Sequence, residues 1–353
     1  MHIPDGYLSP STCGVLYVGA MAGWYSSIKR LKRVLLSRVI PLISVFAAFS
    51  FVVMMFNLPL PGGTTGHALG VTIAAIVLGP SGAILALSIA LGIQALFFGD
   101  GGITTLGANC FNMAIVGSLV AFASYRMIAA GAGLTSRRRV VAAAVAGYLA
   151  VNAAALIAAV EFGIQPMLFH DASGTPLYAP YPLRIAIPAM MIGHLTFAGL
   201  AEAAISGGLV AYLQVADSGL LRATSGVAAD GDLGRSTAPS LRRLWIMIAI
   251  FMLLTPLGIL AAGTAWGEWS PAQMTQTTAS APSANSAAST VPAGLQRLSN
   301  FWTAPFPAYA PAFVKSRSFG YLLSAMFGVG LLLIVSLAAR SWAAKSRGKE
   351  SSA

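Results

Sequence analysis

The residues best suited to chemistry in this sequence lie at its very start, Met1-His2-Ile3-Pro4-Asp5-Gly6. A histidine at position 2 has options that exist only there. The free α-amine of Met1, the Met1–His2 amide nitrogen once deprotonated, and the His2 imidazole can form fused chelate rings around one ion. A second imidazole completes four nitrogens, and His67, in Pro61-Gly62-Gly63-Thr64-Thr65-Gly66-His67-Ala68-Leu69-Gly70, is the candidate. An all-nitrogen, tetragonal or square-planar set suits Ni(II) or Cu(II), whereas zinc prefers a tetrahedron. Pro4 fixes its own φ and pushes Ile3 towards an extended conformation, and Gly6 permits a sharp bend, so the hexapeptide reads as a segment that turns back into the protein. A lone His2 would more often mark a disordered terminus. Its position, the His67 link and the Pro-Asp-Gly turn together favour a ligand. The start lacks the Lys/Arg-led pattern of a cleavable signal peptide, and a bulky His after Met1 discourages its removal, so the mature chain is expected to begin at Met1.

The remaining histidines are His170 and His194. A third informative stretch runs from Phe98-Gly99-Asp100 to Asn109-Cys110-Phe111-Asn112. Asp100, Asn109 and Asn112 are costly to leave unpaired near lipid, and Asn109 and Asn112 share a helix face. Two readings are balanced: a second shell that orients the imidazoles, or an inter-helix hydrogen-bond clasp. His194 and Glu202, two turns apart inside an apolar run, are candidates for the surroundings of the site, although satisfying neighbouring helices is the simpler reading. Cys13 and Cys110 sit in apolar runs and read as packing residues. The small residues Gly19 to Gly23 suit close helix contact, within the chain or with a partner. The sequence is read as having no G-x-x-x-x-G-K-[ST] loop, no HExxH and no intramembrane pair of carboxylates, which disfavours ATP hydrolysis by this chain, a zinc protease and a proton-driven pump.

Positioning these residues is the task of an apolar chain. Of 353 residues, 57% are hydrophobic and 9% charged, against about a quarter charged in a soluble domain. Apolar runs at 11–28, 39–58, 68–79, 82–98, 104–126, 140–162, 185–213, 244–263 and 319–339 predict membrane helices. The 68–98 pair, interrupted at Gly79-Pro80-Ser81-Gly82, admits a re-entrant hairpin as well as two crossings. Seventeen of the 21 Lys and Arg fall in four groups on one side of this topology. By the positive-inside rule that side is cytoplasmic, the amino terminus is outside, and the +11 charge encodes orientation, not affinity for nucleic acid. The expected organisation is a seven-helix body over 1–213, a cytoplasmic linker over 214–243, and a two-helix region over 244–353. The outer segment 264–318 of that region, rich in Ser, Thr, Ala and Pro, is expected to be largely flexible.

MHIPDG, GTTGHALG and FFGDGGITTLGANCFNM resemble the CbiM/NikM family, the substrate-specific components of energy-coupling-factor (ECF) transporters for cobalt and nickel. The resemblance spans roughly residues 1–213. It implies an all-α polytopic fold, a seven-helix bundle, in the cell inner membrane. It also implies an ion held by the Met1 amine, the His2 amide and imidazole nitrogens and His67, with no cofactor beyond the transported Ni(II) or Co(II). Separate ATPase subunits and a transmembrane coupling subunit would supply the energy, so the chain itself would be no enzyme. Residues 244–339 resemble the two-helix NikN/PDGLE-like accessory component of the same systems, carried by Pro256-Leu257-Gly258 through Trp266-Gly267-Glu268-Trp269. The expected function is high-affinity uptake of a divalent transition metal, nickel before cobalt. The alternative is a stand-alone secondary transporter or channel for a divalent cation.

Overall fold

The computed structural model describes residues 1–33, 36–60, 64–224, 238–261, 264–279 and 291–350. The chain is an all-α polytopic membrane protein. The amino-terminal body comprises α1 (Pro10–Arg33), α2 (Leu36–Met54), α3 (Val71–Ile93, continued by a wider turn over Gln94–Phe98), α4 (Leu106–Ile128), α5 (Arg137–Leu168) and α6 (Leu183–Ala216). Then come α7 (Ala238–Leu254, extended by a 3-10 turn over Thr255–Leu260), the short α8 (Pro271–Ala279) and α9 (Ala293–Leu298), and the long α10 (Arg317–Glu350). Among the described residues six helices are long and apolar enough to cross a membrane, and Val39–Met54 forms a shorter apolar one. One small antiparallel ribbon, β1 (Leu58–Leu60) with β2 (Thr64–Gly66), joins them in register Leu58 to Gly66.

The ambiguity over 68–98 resolves into a hairpin. His67, just before α3, and Asp100, just after it, both lie within hydrogen-bond distance of His2, at 3.2 and 3.1 Å. A straight 28-residue helix would hold its ends about 42 Å apart, so the chain must fold back on itself. It does so at Gly79, whose φ of 73° and ψ of 169° are non-helical, and Pro80 follows with no N–H to offer. Residues 71–77 are buried, whereas 78–81 are partly exposed, which places the tip at a surface. The first arm is too short to cross: eight residues rise about 12 Å. Counting its two arms separately gives seven helical segments in the body.

That short arm starts inside the bundle, where its first N–H groups have no water to bond to. Glu202 of α6 answers this need. Its Oε2 accepts from Leu69 N (2.7 Å) and Gly70 N (2.9 Å), and Ser206 Oγ donates to its Oε1 (3.3 Å). The carboxylate also meets the positive end of the helix dipole. Gly70 turns the chain into the helix at φ 66°, where a Cβ would stand 2.7 Å from Phe49. Glu202 therefore works structurally, and it fixes the link that carries His67.

In α1, Gly19 and Gly23 lie against Phe111 and Ile115 of α4, so this small-residue face serves internal packing. Cys13 and Cys110 are buried and free, as packing residues should be. Helices α7 and α10 dock on α2: a Cβ at Gly258 would lie 2.3 Å from the Met55 carbonyl, and one at Gly328 would lie 2.1 Å from Phe51. Tyr321 also donates to Met55 O at 2.7 Å.

Two expectations need correction. The described parts of 264–318 are not a loose loop but pack on the body, with Trp302 Nε1 donating to Leu96 O and Gly294 N to Leu177 O. The Ser/Thr/Ala composition concealed widely spaced aromatic anchors; residues 280–290 lie outside the described range. Likewise the first part of the linker, Ser218–Thr224, forms a 3-10 turn against α3 that buries Leu220 and Leu221; residues 225–237 lie outside the described range.

Glu202→Ala leaves the Leu69 and Gly70 N–H groups unpaired, at a cost of about 1–3 kcal/mol for each buried donor. The variant is expected to unfold at a clearly lower temperature in detergent than Glu202→Gln, which keeps an acceptor oxygen. Equal midpoints for the two variants would contradict the capping role.

Candidate metal centre

The amino-terminal segment is seated by backbone bonds before its side chains do anything. Asn109, in the first turn of α4, holds both sides of Ile3: its Oδ1 accepts from Ile3 N at 2.8 Å and its Nδ2 donates to Ile3 O at 3.1 Å. Ile3 O also accepts from Gly102 N (2.9 Å) and from the Thr105 hydroxyl. The Asp5 carboxylate accepts from Ile103 N (3.2 Å), Thr104 N (2.7 Å) and the Thr104 hydroxyl. Gly102 permits this approach, since a Cβ there would lie 2.3 Å from Asp5 N. Gly6 turns the chain at φ 89°, and Tyr7 and Leu8 are fully buried beyond it. Ser9 N then donates to Gln165 Oε1 of α5 at 3.0 Å. Burying Ile3, Tyr7 and Leu8 contributes about 1.5–3 kcal/mol for each side chain, enough to hold a terminus that would otherwise fray.

With Ile3 clamped, the two residues before it have one place to go. His2 (2% exposed) and Met1 (3%) are buried against the His67 link. The His2 and His67 rings stack with centroids 4.8 Å apart, and His2 Nδ1 lies 3.2 Å from His67 Nε2. His67 Nδ1 is 3.1 Å from Ala68 O; a carbonyl only accepts, so the proton sits on Nδ1 and the Nε2 lone pair faces His2. Burial, with His2 and the terminal amine beside it, holds the His67 imidazole well below its ordinary titration range and so neutral. Two nitrogens each 2.0–2.1 Å from an ion and at right angles are about 2.9 Å apart, so this imidazole pair is close to the spacing of neighbouring ligands. Asp100 Oδ1 is 3.1 Å from the same His2 nitrogen, and its Oδ2 accepts from Tyr309 OH at 2.5 Å. The Met1 amine donates to Glu268 Oε1 at 2.9 Å. Among the described residues no three His, Cys, Asp or Glu side chains gather as a metal cluster. An ion held here would therefore draw on the amine and backbone nitrogens as well as the imidazoles.

The structure thus brings Met1, His2, His67, Asp100 and Asn109 together. Asn112 points elsewhere: its Nδ2 donates to Glu161 Oε2 at 2.7 Å, one helix away from the imidazoles. His194 Nδ1 bonds Met190 O at 2.8 Å, and its Nε2 is buried without a partner among the described residues. His170 is in the 169–182 link, bonded to Asp171 O.

Sequence reasoning missed Glu161, Glu268 and Tyr309. A carboxyl in the apolar run 140–162 was a visible signal for the first. It does not pair with Glu202: the Glu202 carbonyl approaches Gly147, fourteen residues and about 21 Å of helix away from Glu161. The contacts of Glu268 and Tyr309 span 267 and 209 residues, and no local pattern announces them.

Residues 2–220 match the CbiM family, described as a cobalt uptake substrate-specific transmembrane region, and residues 242–345 match the PDGLE domain. The chain is 52% identical over 339 residues to a fused nickel transport protein NikMN of Rhodobacter capsulatus, covering 94% of this chain and 95% of that one. It is 40% identical over 338 residues to a probable fused nickel transport protein LarMN of Lactiplantibacillus plantarum, covering 95% and 96%. A cobalt transport protein CbiM of Geobacter sulfurreducens is 34% identical over 76% of this chain and 74% of its own length. A crystal structure of a truncated transition metal transporter superposes with a TM-score of 0.57 at 49% identity, covering 60% of this chain and 98% of that one. Fold, buried amino-terminal segment and these likenesses agree: the chain belongs to the CbiM family of metal-uptake membrane proteins, in the fused form in which a PDGLE domain follows the substrate-specific region.

Proposed function

We propose that this chain is the substrate-specific membrane component of an ATP-driven, ECF-type importer, and that its cargo is Ni(II), with Co(II) the next best ion. The observation that carries the reading is the buried pair of His2 Nδ1 and His67 Nε2, 3.2 Å apart, at a chain terminus seated by Asn109 and Asp5. The Met1 amine, the deprotonated His2 amide nitrogen, the His2 imidazole and His67 form the ligand set. Asp100 and Asn109 orient it, and His194 belongs to its wider surroundings. Four nitrogens in one plane favour nickel over zinc.

The basic clusters support the orientation. Lys29, Arg30, Arg126, Arg137, Arg138, Arg139, Arg222, Arg242 and Arg243 lie at helix ends on the face opposite the amino terminus. That face is cytoplasmic and the metal site opens outwards. Residues 1–213 are the metal-binding body, 214–243 the linker and 244–353 the accessory part. With no nucleotide-binding loop in the sequence, energy comes from separate ATPase subunits through a transmembrane coupling subunit.

Placing one Gly before Met1 keeps both imidazoles but moves the free amine. Nickel and cobalt affinity of the purified protein should fall by more than the ~10–100-fold that changes outside a ligand shell produce. Untouched affinity would exclude the amine-based site.

An α-amine ordinarily loses its proton near pH 8 and an imidazole near 6.5, and ligation needs both unprotonated. The low-lying His67 stays a lone-pair donor through this range. Titration calorimetry should show protons released on binding, and affinity falling at least about tenfold per pH unit below neutrality. A flat profile between mildly acidic and neutral buffer would count against the ligand set.

In proteoliposomes, nickel uptake is expected only when the coupling and ATPase subunits and ATP are present. Uptake by the chain alone would favour a channel or secondary transporter.

A further inference from the structure

The carboxylate contributed by the PDGLE domain sits where an incoming ion would first meet the site. His2, His67 and Met1 are all 5% exposed or less. The Glu268 side chain is 22% exposed and lines an open cleft of about 520 Å³ together with Asp5, Gly101, Gly102, Trp269 and Gln273. Asp5, the other carboxylate of this cleft, is committed to the Ile103 and Thr104 N–H groups. Asp100 is held between His2 and Tyr309. Among the described residues, Glu268 is the side chain that joins the open cleft to a candidate ligand nitrogen, through the 2.9 Å contact of its Oε1 with the Met1 amine. That distance is the spacing of two neighbouring ligands on one ion, about 2.9 Å for bonds of 2.0–2.1 Å at right angles.

The carboxylate is also firmly placed. Trp266 packs on Phe162 (5.8 Å) and Tyr181 (4.8 Å), and Gly267 turns at φ 81° with room for a Cβ only 3.1 Å from Phe162. Tyr7 OH donates to Trp269 O at 2.8 Å, so the turn bearing Glu268 is tied to the same segment that bears the ligands.

We propose that Glu268 is a metal-capturing ligand: its carboxylate takes the divalent cation from the cleft and passes it to the Met1 amine and the imidazoles behind it. The proposal rests on the metal-site reading above. A hydrated divalent cation readily accepts a carboxylate oxygen, and an anionic mouth raises the local concentration of cations and their association rate by about 10–10³-fold. The amine releases its proton to solvent and exchanges its hydrogen bond to Glu268 for a bond to the ion, so the same carboxylate that holds the amine delivers the ion to it.

The test is the rate of Ni(II) loading into full-length protein in nanodiscs, followed by stopped-flow absorbance. Glu268→Gln keeps the shape and an acceptor for the amine but removes the charge. It should slow second-order association at least ~10-fold while the final nickel spectrum is unchanged and dissociation moves far less. Glu268→Asp should recover part of the rate. Added salt should slow the wild type and leave Glu268→Gln nearly unaffected, a readout that a merely structural role would not move. Wild-type association by Glu268→Gln, or a change confined to dissociation, overturns the capture role while leaving the nitrogen site standing. Failure of the wild type to bind nickel or cobalt overturns both.

Discussion

Everything at the candidate metal centre depends on the clamp on Ile3. One asparagine bonds both the N–H and the C=O of this residue, and Gly102 and Thr105 add to the carbonyl. Two residues upstream of a fixed backbone unit have little freedom, so the clamp delivers the terminal amine and the His2 ring to one spot. Fixing of this kind would let a chain terminus, ordinarily its loosest part, serve as a chelate. The Asp5 carboxylate completes the seat by meeting the N–H groups of Ile103 and Thr104 at the entrance to α4, where the helix dipole favours a negative charge.

The rest of the body serves to bring a second imidazole to that seat. His67 must reach inward, which requires a link that ends inside the bundle and a helix that starts there. The short first arm of α3 and the Glu202 cap are the physical solution. The bend at Gly79 then returns the chain so that Asp100 reaches His2 from the other end of the hairpin. The two residues facing His2 are thus the two ends of one hairpin, whose geometry is set by a glycine, a proline and a buried carboxylate far from the site itself. The PDGLE domain closes over the same face, holding Asp100 through Tyr309 and the amine through Glu268.

Much of this was legible in the residues. The Met-His start, the Pro-Asp-Gly turn and the polar run ending in Asn109 have meaning by position, and the structure sets His67 Nε2 3.2 Å from His2 Nδ1. The long apolar runs located the helices, because a hydrocarbon environment demands them, but not every end: α10 runs eleven residues past its apolar stretch, to Glu350. What stayed hidden has common causes. Asn112 turned to Glu161, a partner 49 residues away on another helix, and helix-face periodicity does not distinguish one neighbouring helix from another. The Gly79-Pro80 break was visible, but its direction depends on a left-handed φ that sequence permits without requiring. The 264–318 segment misled because its bulk composition is that of a flexible linker, while its order comes from a few aromatic residues, Trp266, Trp269, Trp302 and Tyr309, docking on the body.

The central claim is that one ion sits among the terminal amine, the adjacent amide nitrogen and two imidazoles. X-ray absorption at the nickel edge of the loaded, full-length protein addresses this directly, because imidazole rings add a distinctive outer-shell scattering pattern and sulfur is unmistakable. The expected result is a first shell dominated by nitrogen, with the outer-shell pattern of two imidazoles and no sulfur. A sulfur ligand from methionine or cysteine, or the pattern of a single imidazole, would contradict the account.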